Sequence, residues 1–357
     1  MQRIRGGGPL LVIGGGIGGV SVAAELAAHR DVLLVEAEPM LARHTTGRSA
    51  AVYLPSYGGP VIRALTAASL PRFDPDLLSS RPMVWVATDE EGKAIIDGNL
   101  ADGSAEPFTI AQARTLFPPL RPDAVVATAL EPGTMDLDAM GLHQHYVRLL
   151  KSRGGEIRMG TPVTALTRDD SGWQVTVGAE TLHVEAVVDA AGAWADQLAE
   201  LAGVPTVGLT PMRRTIAIAG GVDVDPAWPF VCDAAHHFYL RPEGQGVLIS
   251  PADETPSEPC DAKPDELDIA LAMERVNEVT TLGLRSVRTA WAGLRTFTPN
   301  RVPVVGEAAP GFYFFAGQGG YGIQIAPALA AAGAAVILGQ PIPADIPVTS
   351  EDLWAPS

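Results

Sequence analysis

The chain has 357 residues, 47% apolar and 18% charged, which is too long for one ordinary core and too apolar for a disordered polypeptide. Its formal net charge of −16 repels phosphate backbones and anionic lipid, so nucleic-acid binding is not expected. Its two cysteines, Cys232 and Cys260, form no C-x-x-C pair; this argues for a reducing, cytoplasmic setting with neither a disulfide framework nor a zinc site.

Arg3 and Arg5 precede an apolar run, as in a signal peptide. Gly14, Gly15, Gly16, Gly18 and Gly19 break that run, and an amphipathic helical pattern follows, so it reads as folded structure. "LLVI" is a short buried strand. "GVSVAAELAAH" is a helix with Val20, Ala24 and Ala27 on one face, and "DVLLVE" is a second buried strand. Strand, glycine turn, helix, strand is the context that a dinucleotide fingerprint requires. Gly14 permits the tight turn, Gly16 lets the backbone approach a pyrophosphate, and Gly19 lets the helix pack closely on the strand. Free N–H groups at the helix N-terminus then face the phosphates. Glu36 closes the second strand, where a carboxylate accepts hydrogen bonds from ribose hydroxyls and repels a 2′-phosphate. FAD or NAD is therefore favoured over NADP, and the fingerprint alone does not separate those two.

"HTTGRSAAVYLPSYG" has no clear period and reads as a loop leading to the helix "GPVIRALTAASL". "MVWVAT" is a strand and "TIAQARTLFPPL" a short helix ending at Pro118. "MDLDAMGLHQHYVRLLKSRGGEIR" reads as a helix opening at Asp136 and Asp138 and stopped by glycine. "WQVTVG" and "LHVEAVVDAAGAWADQLAELAG" supply two strands and a helix that opens at a glycine turn. "RRTIAIAG", "HHFYLRPEG" and "GVLISPAD" suggest an antiparallel sheet, and "DELDIALAMERVNEVT" is an amphipathic helix. The late run "IAPALAAAGAAVILG" is short for a bilayer span and contains Pro327, so a buried helix is expected, with no transmembrane segment. The expected fold is α/β: a Rossmann-type nucleotide domain from segments 1–82, 137–205 and 299–357, with a second domain on a mixed or antiparallel sheet from 83–136 and 206–298.

The segments "VIGGGIGG", "HTTGRSAA", "RALTAAS", "AAGAWAD", "LTPMRRT", "FYLRP", "TAWAGLRTF" and "QGGYGIQ" together resemble the D-amino-acid oxidase superfamily of flavoproteins, which includes glycine oxidase and sarcosine oxidase. Within it they look most similar to bacterial D-arginine dehydrogenases. The resemblance runs from near residue 10 to near residue 325. It implies a two-lobe architecture like that of glutathione reductase, FAD rather than NAD, and oxidation of a C–N bond by hydride transfer to flavin N5. The imine formed would hydrolyse to a keto acid and ammonia, and oxygen or a quinone-type acceptor would reoxidise the flavin.

A carboxylate must be fixed before a Cα–H can be aimed at a flavin, and a guanidinium does this with two parallel hydrogen bonds. Arg295 stands in an otherwise apolar strand, where an unpaired charge would be expensive. By the resemblance Arg295 and Arg214 match the carboxylate-binding arginines, with Arg213 competing for the second role. Tyr57 and Tyr239 match tyrosines that close over the substrate; without the resemblance they would be ordinary core residues. Ser49 and Ala50 lie where the family loop meets the flavin. By the same resemblance Arg48 and Thr46 would support the cofactor phosphates or that loop, and Val163 and Gly192 are expected as further cofactor-binding positions. The resemblance implies that Gly320, Tyr321, Gly322 and Gln324 would approach the ring and substrate from the C-terminal side. His44, His143, His145, His236 and His237 show no metal-ligand spacing and read as solvated or structural. Nothing favours covalent attachment through His44, Cys232 or Cys260, so a non-covalently held FAD is expected.

D-arginine dehydrogenases carry a glutamate after an Arg-Pro pair that meets the substrate's cationic side chain. Here "RPMVW" places Met83 there, and Val52 replaces a loop histidine. With Phe230, this implies an apolar pocket for a neutral or hydrophobic D-amino acid. The alternatives are an N-methylated or cyclic amino acid, a hydroxy acid, or a flavin-binding protein without catalysis.

Overall fold

The computed structural model describes residues 8–354; Arg3 and Arg5 lie outside them. Its first strand, Leu10–Ile13, is buried along its whole length at the centre of a six-stranded sheet. Val32–Val35 and Ala186–Asp189 flank it in parallel. Glu156–Arg158 adds one edge. Phe312–Ala316 extends the other side in parallel, and Val304–Ala309 closes it antiparallel.

Both faces of this sheet are covered, which explains why its strands read as continuous apolar runs. Leu10 and Val12 pack with the helices Ile17–Leu26, Ala139–Ser152 and Gly322–Ile337. Leu11 and Ile13 pack on the other side with Trp173 and Val175 of a three-stranded sheet and with Leu198 of the helix Ala195–Leu201. The apolar run near the C-terminus is the helix Gly322–Ile337, almost wholly buried. Beside Pro327, whose ring nitrogen cannot donate, the Ala328 N–H donates to the buried hydroxyl of Ser69 at 3.1 Å. Among the described residues no helix is long and apolar enough to cross a membrane.

The second large sheet has nine strands and is mostly antiparallel. Its parallel pair is Phe230–Asp233 with Met83–Ala87, so the sheet is mixed. Ladder register divides its side chains between two faces, because directly opposed residues point the same way. Val84, Ala217, Val231, Leu240 and Ile249 face the helices Ile110–Leu116 and Glu266–Val279. The opposite face carries Met83, Trp85, Phe230, Cys232, Tyr239 and Ile216. In the long ladder between Thr210–Gly220 and Ser286–Phe297, Arg214 stands opposite Gly293 and Met212 opposite Arg295. Arg214 and Arg295 are therefore diagonal neighbours on one face.

Two elements differ from the sequence reading. Asp136 does not open a helix: it lies in the strand Met135–Leu137, where its carboxylate pairs with Arg81 at 2.5 Å and Arg241 at 3.2 Å. The helix begins after Asp138, whose side chain accepts the Gly141 N–H. The sequence reading also passed over the helix Glu90–Ala101, capped by Asp89. That helix is polar, contains two glycines, and buries only Gly92 and Ile96, so no apolar period marks it.

Candidate active site

A cavity of about 370 Å³ runs between the two large sheets. At one end it is lined by Gly14, Gly15, Gly16 and Glu36, and at the other by Arg214, Arg295 and Gly320. Gly192, Gly322, Ser49, Ala50 and Arg48 line it between these ends.

The first end fits a dinucleotide. Gly14 has φ +115°, and a Cβ there would stand 2.3 Å from the Ala190 carbonyl oxygen. A Cβ on Gly19 would reach to 1.8 Å from the Gly14 oxygen, so helix and turn meet at a distance only glycine allows. Glu36 accepts the Gly15 N–H at 2.6 Å and the Glu38 N–H at 2.9 Å, which fixes its carboxylate at the cavity wall. His44 also lines the cavity. Its Nε2 donates to Glu38 at 2.9 Å and its ring lies 4.8 Å from that of Trp194. Its Nδ1 is buried without a partner among the described residues. Buried His143 donates from Nε2 to the Gly15 carbonyl at 2.9 Å, holding the glycine turn from behind. Burial lowers the His143 pKa. Neither His44 nor His143 was separable from a solvated histidine by sequence alone, because both act through partners distant in the chain.

The loop that crosses between the sheets is pinned by residues expected near the phosphates. The Thr46 hydroxyl accepts the Ile17 N–H at 2.9 Å. The Arg48 guanidinium donates to the Ala262 and Ala292 carbonyls and at 2.5 Å to Asp261. Its charge is spent on that carboxylate, so its role is to hold the loop. The Ser49 hydroxyl accepts the Ala51 N–H at 3.0 Å.

At the other end Arg295 donates from Nη1 to the Tyr57 hydroxyl at 3.2 Å and has no ion-pair partner among the described residues. A Cβ on Gly320 would come within 2.9 Å of the Tyr57 hydroxyl and 3.0 Å of Arg295 Nη1, so glycine permits this packing. Arg214 is buried; it donates from Nε to the Asp253 carbonyl at 2.6 Å and from Nη2 to Glu254 at 3.4 Å. Burial lowers its pKa, and the nearby charge of Arg295 adds to the effect. Two cations sharing a low-dielectric cleft call for an anion between them. Arg213 is directed elsewhere, toward Asp268 at 2.8 Å and Asp253 at 3.6 Å. Tyr239 stacks on Phe230 with ring centroids 5.5 Å apart, and its buried hydroxyl lacks a partner among the described residues.

Of the expected site residues, Gly19, Tyr57, Tyr239, Gln324 and Val163 are not part of the cavity lining; Tyr57 meets it through Arg295, and Gln324 and Val163 are engaged elsewhere. Gln324 is buried with both ends of its amide occupied: Oε1 accepts the Leu54 N–H at 3.1 Å, and Nε2 donates to the Thr66 hydroxyl at 2.9 Å and the Leu54 carbonyl at 3.4 Å. It ties the helix Gly322–Ile337 to the segment before Tyr57 and does not face the ring site. Val163 starts the strand Val163–Asp169 and packs against the core that contains Trp173 and Leu198. Of the residues considered for a covalent link, His44 lines the cavity, Cys232 lies in the wall behind Tyr239, and Cys260 is exposed.

A family model for FAD-dependent oxidoreductases (DAO) matches residues 10–335. Human mitochondrial sarcosine dehydrogenase is 27% identical over 225 residues, which cover 58% of this chain and 24% of that protein. The chain therefore spans about a quarter of that relative's length. The crystal structure of glycine oxidase from Geobacillus kaustophilus superposes with a TM-score of 0.80 and 22% identity, covering 93% of this chain and 95% of that one. L-α-glycerophosphate oxidase from Mycoplasma pneumoniae, solved with FAD bound, gives a TM-score of 0.82 at 19% identity, covering 93% and 94%. At these identities the structural likeness is one of fold. The finer likeness to D-arginine dehydrogenases rests on the short sequence segments alone.

Proposed function

The chain belongs to the DAO family of FAD-dependent oxidoreductases, and from that premise we propose that it oxidises the C–N bond of an amino acid, with neutral or hydrophobic D-amino acids preferred. FAD, when bound, supplies the two-electron acceptor for the hydride leaving Cα.

The observation that carries this reading is the convergence of Arg214 and Arg295 at the far end of a cavity that begins at the dinucleotide fingerprint. A substrate carboxylate placed between them would accept from Arg295 and from the remaining N–H groups of Arg214, and would relieve the repulsion between the two charges. Tyr57 closes one side, and the unpartnered hydroxyl of Tyr239 offers a hydrogen bond from the sheet. Held at its carboxylate, the substrate has its Cα–H fixed in direction, which is the main work the chain must do. An amine that arrives neutral needs no strong base, and the imine leaves to hydrolyse to a keto acid and ammonia. Oxygen or a quinone-type acceptor then takes the electrons.

Met83 and Phe230 face each other across the parallel pair and lie in one wall with Tyr239. The carboxylate in that wall, Glu131, already accepts from Ser56 and Trp85. Among the described residues, no free anion in that wall favours a cationic side chain. In this reading, segments 83–136 and 206–298 carry the substrate face, and 1–82, 137–205 and 299–357 hold the cofactor. The likeness to sarcosine dehydrogenase supports a second reading, an N-methylated amino acid held by the same arginine pair.

The test is anaerobic bleaching of the flavin by a substrate panel. D-Leu, D-Met and D-Phe should reduce the flavin fastest. Faster reduction by D-Arg or D-Lys would overturn the preference, and faster reduction by sarcosine would select the second reading. No bleaching by any amine would leave a flavin-binding protein without this chemistry.

A further inference from the structure

Glu131 ends the strand Ala127–Glu131 and stands directly opposite Met83 in the ladder. It is 2% exposed. Three donors converge on its carboxylate: the Ser56 N–H at 3.0 Å, the Ser56 hydroxyl at 2.7 Å and the Trp85 indole N–H at 3.1 Å. Every one of these contacts requires an acceptor, and an ionised carboxylate is an acceptor only. An amide in its place would turn an N–H toward one of them.

The position of this carboxylate connects it to the site. Ser56 immediately precedes Tyr57, whose hydroxyl receives Arg295 Nη1 at 3.2 Å. The segment between the strand Val52–Tyr53 and the helix Pro60–Ser69 has no ladder of its own to hold it. Side chains hold it at Leu54, bound by Gln324, at Ser56, bound twice by Glu131, and at Gly58, bound by Arg63 of the following helix. Trp85 lies in the same wall as Met83, Phe230 and Tyr239, so the other bond ties that segment to the substrate wall.

We propose that Glu131 is a positioning residue for the substrate pocket: its ionised carboxylate clamps Ser56 to the large sheet and so holds the Tyr57 hydroxyl against Arg295. It touches neither substrate nor cofactor. The inference rests on the proposed amino-acid site, because its consequence is read through that site. Burial works against the charge on Glu131 and raises its pKa, while the three donors oppose the shift. A buried anion that opposes its own desolvation in this way is retained for the geometry it imposes.

The experiment uses the flavin-loaded full chain and 2-aminoisobutyrate, an amino acid without a Cα–H, so that binding is read from the flavin's visible spectrum without turnover. Glu131→Gln should bind this probe about tenfold more weakly than the wild type, the usual cost of a hydrogen bond to a charged group. In a Tyr57→Phe background the same substitution should have little further effect, because the hydroxyl it positions is gone. Ser56→Ala, which keeps the backbone bond, should show a smaller loss with the same dependence on Tyr57; it serves as the cycle if Glu131→Gln fails to hold FAD. Unchanged affinity in Glu131→Gln and Ser56→Ala, or losses that simply add to that of Tyr57→Phe, would overturn the proposal. If the wild type itself binds no amino-acid probe, the amino-acid site fails, and this inference with it. Wild-type binding with no Tyr57 coupling sinks the Glu131 inference alone.

Discussion

Arg295 donates a hydrogen bond to Tyr57 across 238 residues of sequence, and through it the nine-stranded sheet is joined to the segment that follows the flavin loop. The two side chains come from opposite walls of the cleft, so removing either should separate binding from cofactor retention. Arg295→Met should keep FAD and lower kcat/KM for amino acids by roughly 100- to 1000-fold, the cost of leaving a carboxylate unpaired in a desolvated site. Tyr57→Phe should cost about threefold to tenfold, as for one neutral hydrogen bond. Rapid-mixing measurements of flavin reduction would check both. A small effect for Arg295→Met would place the carboxylate elsewhere.

Gly320→Ala tests the same contact from the other side. The added methyl would meet the ends of Tyr57 and Arg295 at 2.9 and 3.0 Å, and both side chains can shift without unfolding the chain. FAD content and Tm should remain near those of the wild type while KM rises about tenfold or more, since small misplacements of a positioning group are costly. A drop in Tm with unchanged KM would mean that the glycine serves only the turn.

The pH dependence of cofactor retention should carry a signature of His143. Burial lowers its pKa, so below the ordinary histidine value near 6.5 the unfolded chain binds a proton that the folded state resists. Stability is therefore fully present above that pH and is lost as the pH falls toward the folded-state pKa. Because His143 holds the Gly15 carbonyl, this loss should appear as FAD release as well as a falling Tm as the pH drops below about 6.5. His143→Gln can still donate to Gly15 and does not titrate, so its slope should be shallower. His236, whose pKa burial also lowers, acts in the same direction, so some slope should remain. An identical slope in the variant would remove His143 from the account.

The nucleotide end was legible because its signals are local: apolar runs, a glycine turn whose spacing reflects backbone contacts, and a carboxylate at a strand end. The arginine pair was legible only through resemblance, since the geometry that joins Arg214 to Arg295 lies in the register of two strands, Thr210–Gly220 and Ser286–Phe297, far apart in the chain. Glu131 and Trp194 carry no signal in the sequence, and His44 reads there as solvated or structural, because each takes its meaning from partners that no periodicity reveals. Gln324 was misplaced for the reverse reason. A polar residue just after a glycine turn invites a ligand role, yet its amide is consumed by Leu54 and Thr66.

If Gln324 is a buried brace, Gln324→Ala leaves the N–H and carbonyl of Leu54 without their side-chain partner, a loss of about 2 kcal/mol or more. Tm should fall, while the limiting rate of flavin reduction at saturating substrate stays within about twofold of the wild type, because no interaction with the transition state has been removed. A large fall in that rate with an unchanged Tm would restore Gln324 to the chemistry.

His44 supports a prediction in which two quantities move in different directions. Its ring is held by Trp194 and its Nε2 by Glu38, but Nδ1 is buried with no partner among the described residues. A buried polar atom without a partner costs roughly 1–3 kcal/mol, and a ligand that supplies the partner recovers that cost on binding. Glu38 keeps a second partner in Arg43 at 3.1 Å, so losing the imidazole does not strand the carboxylate. His44→Phe retains a ring against Trp194 and removes the orphaned nitrogen. The apoprotein should therefore melt at the same temperature as wild-type apoprotein or higher, while FAD affinity, read by flavin fluorescence titration, falls about tenfold. If apoprotein stability and FAD affinity fell together, His44 would be a brace for the loop. If neither moved, the cavity wall at Nδ1 would not be where the cofactor makes its polar contact.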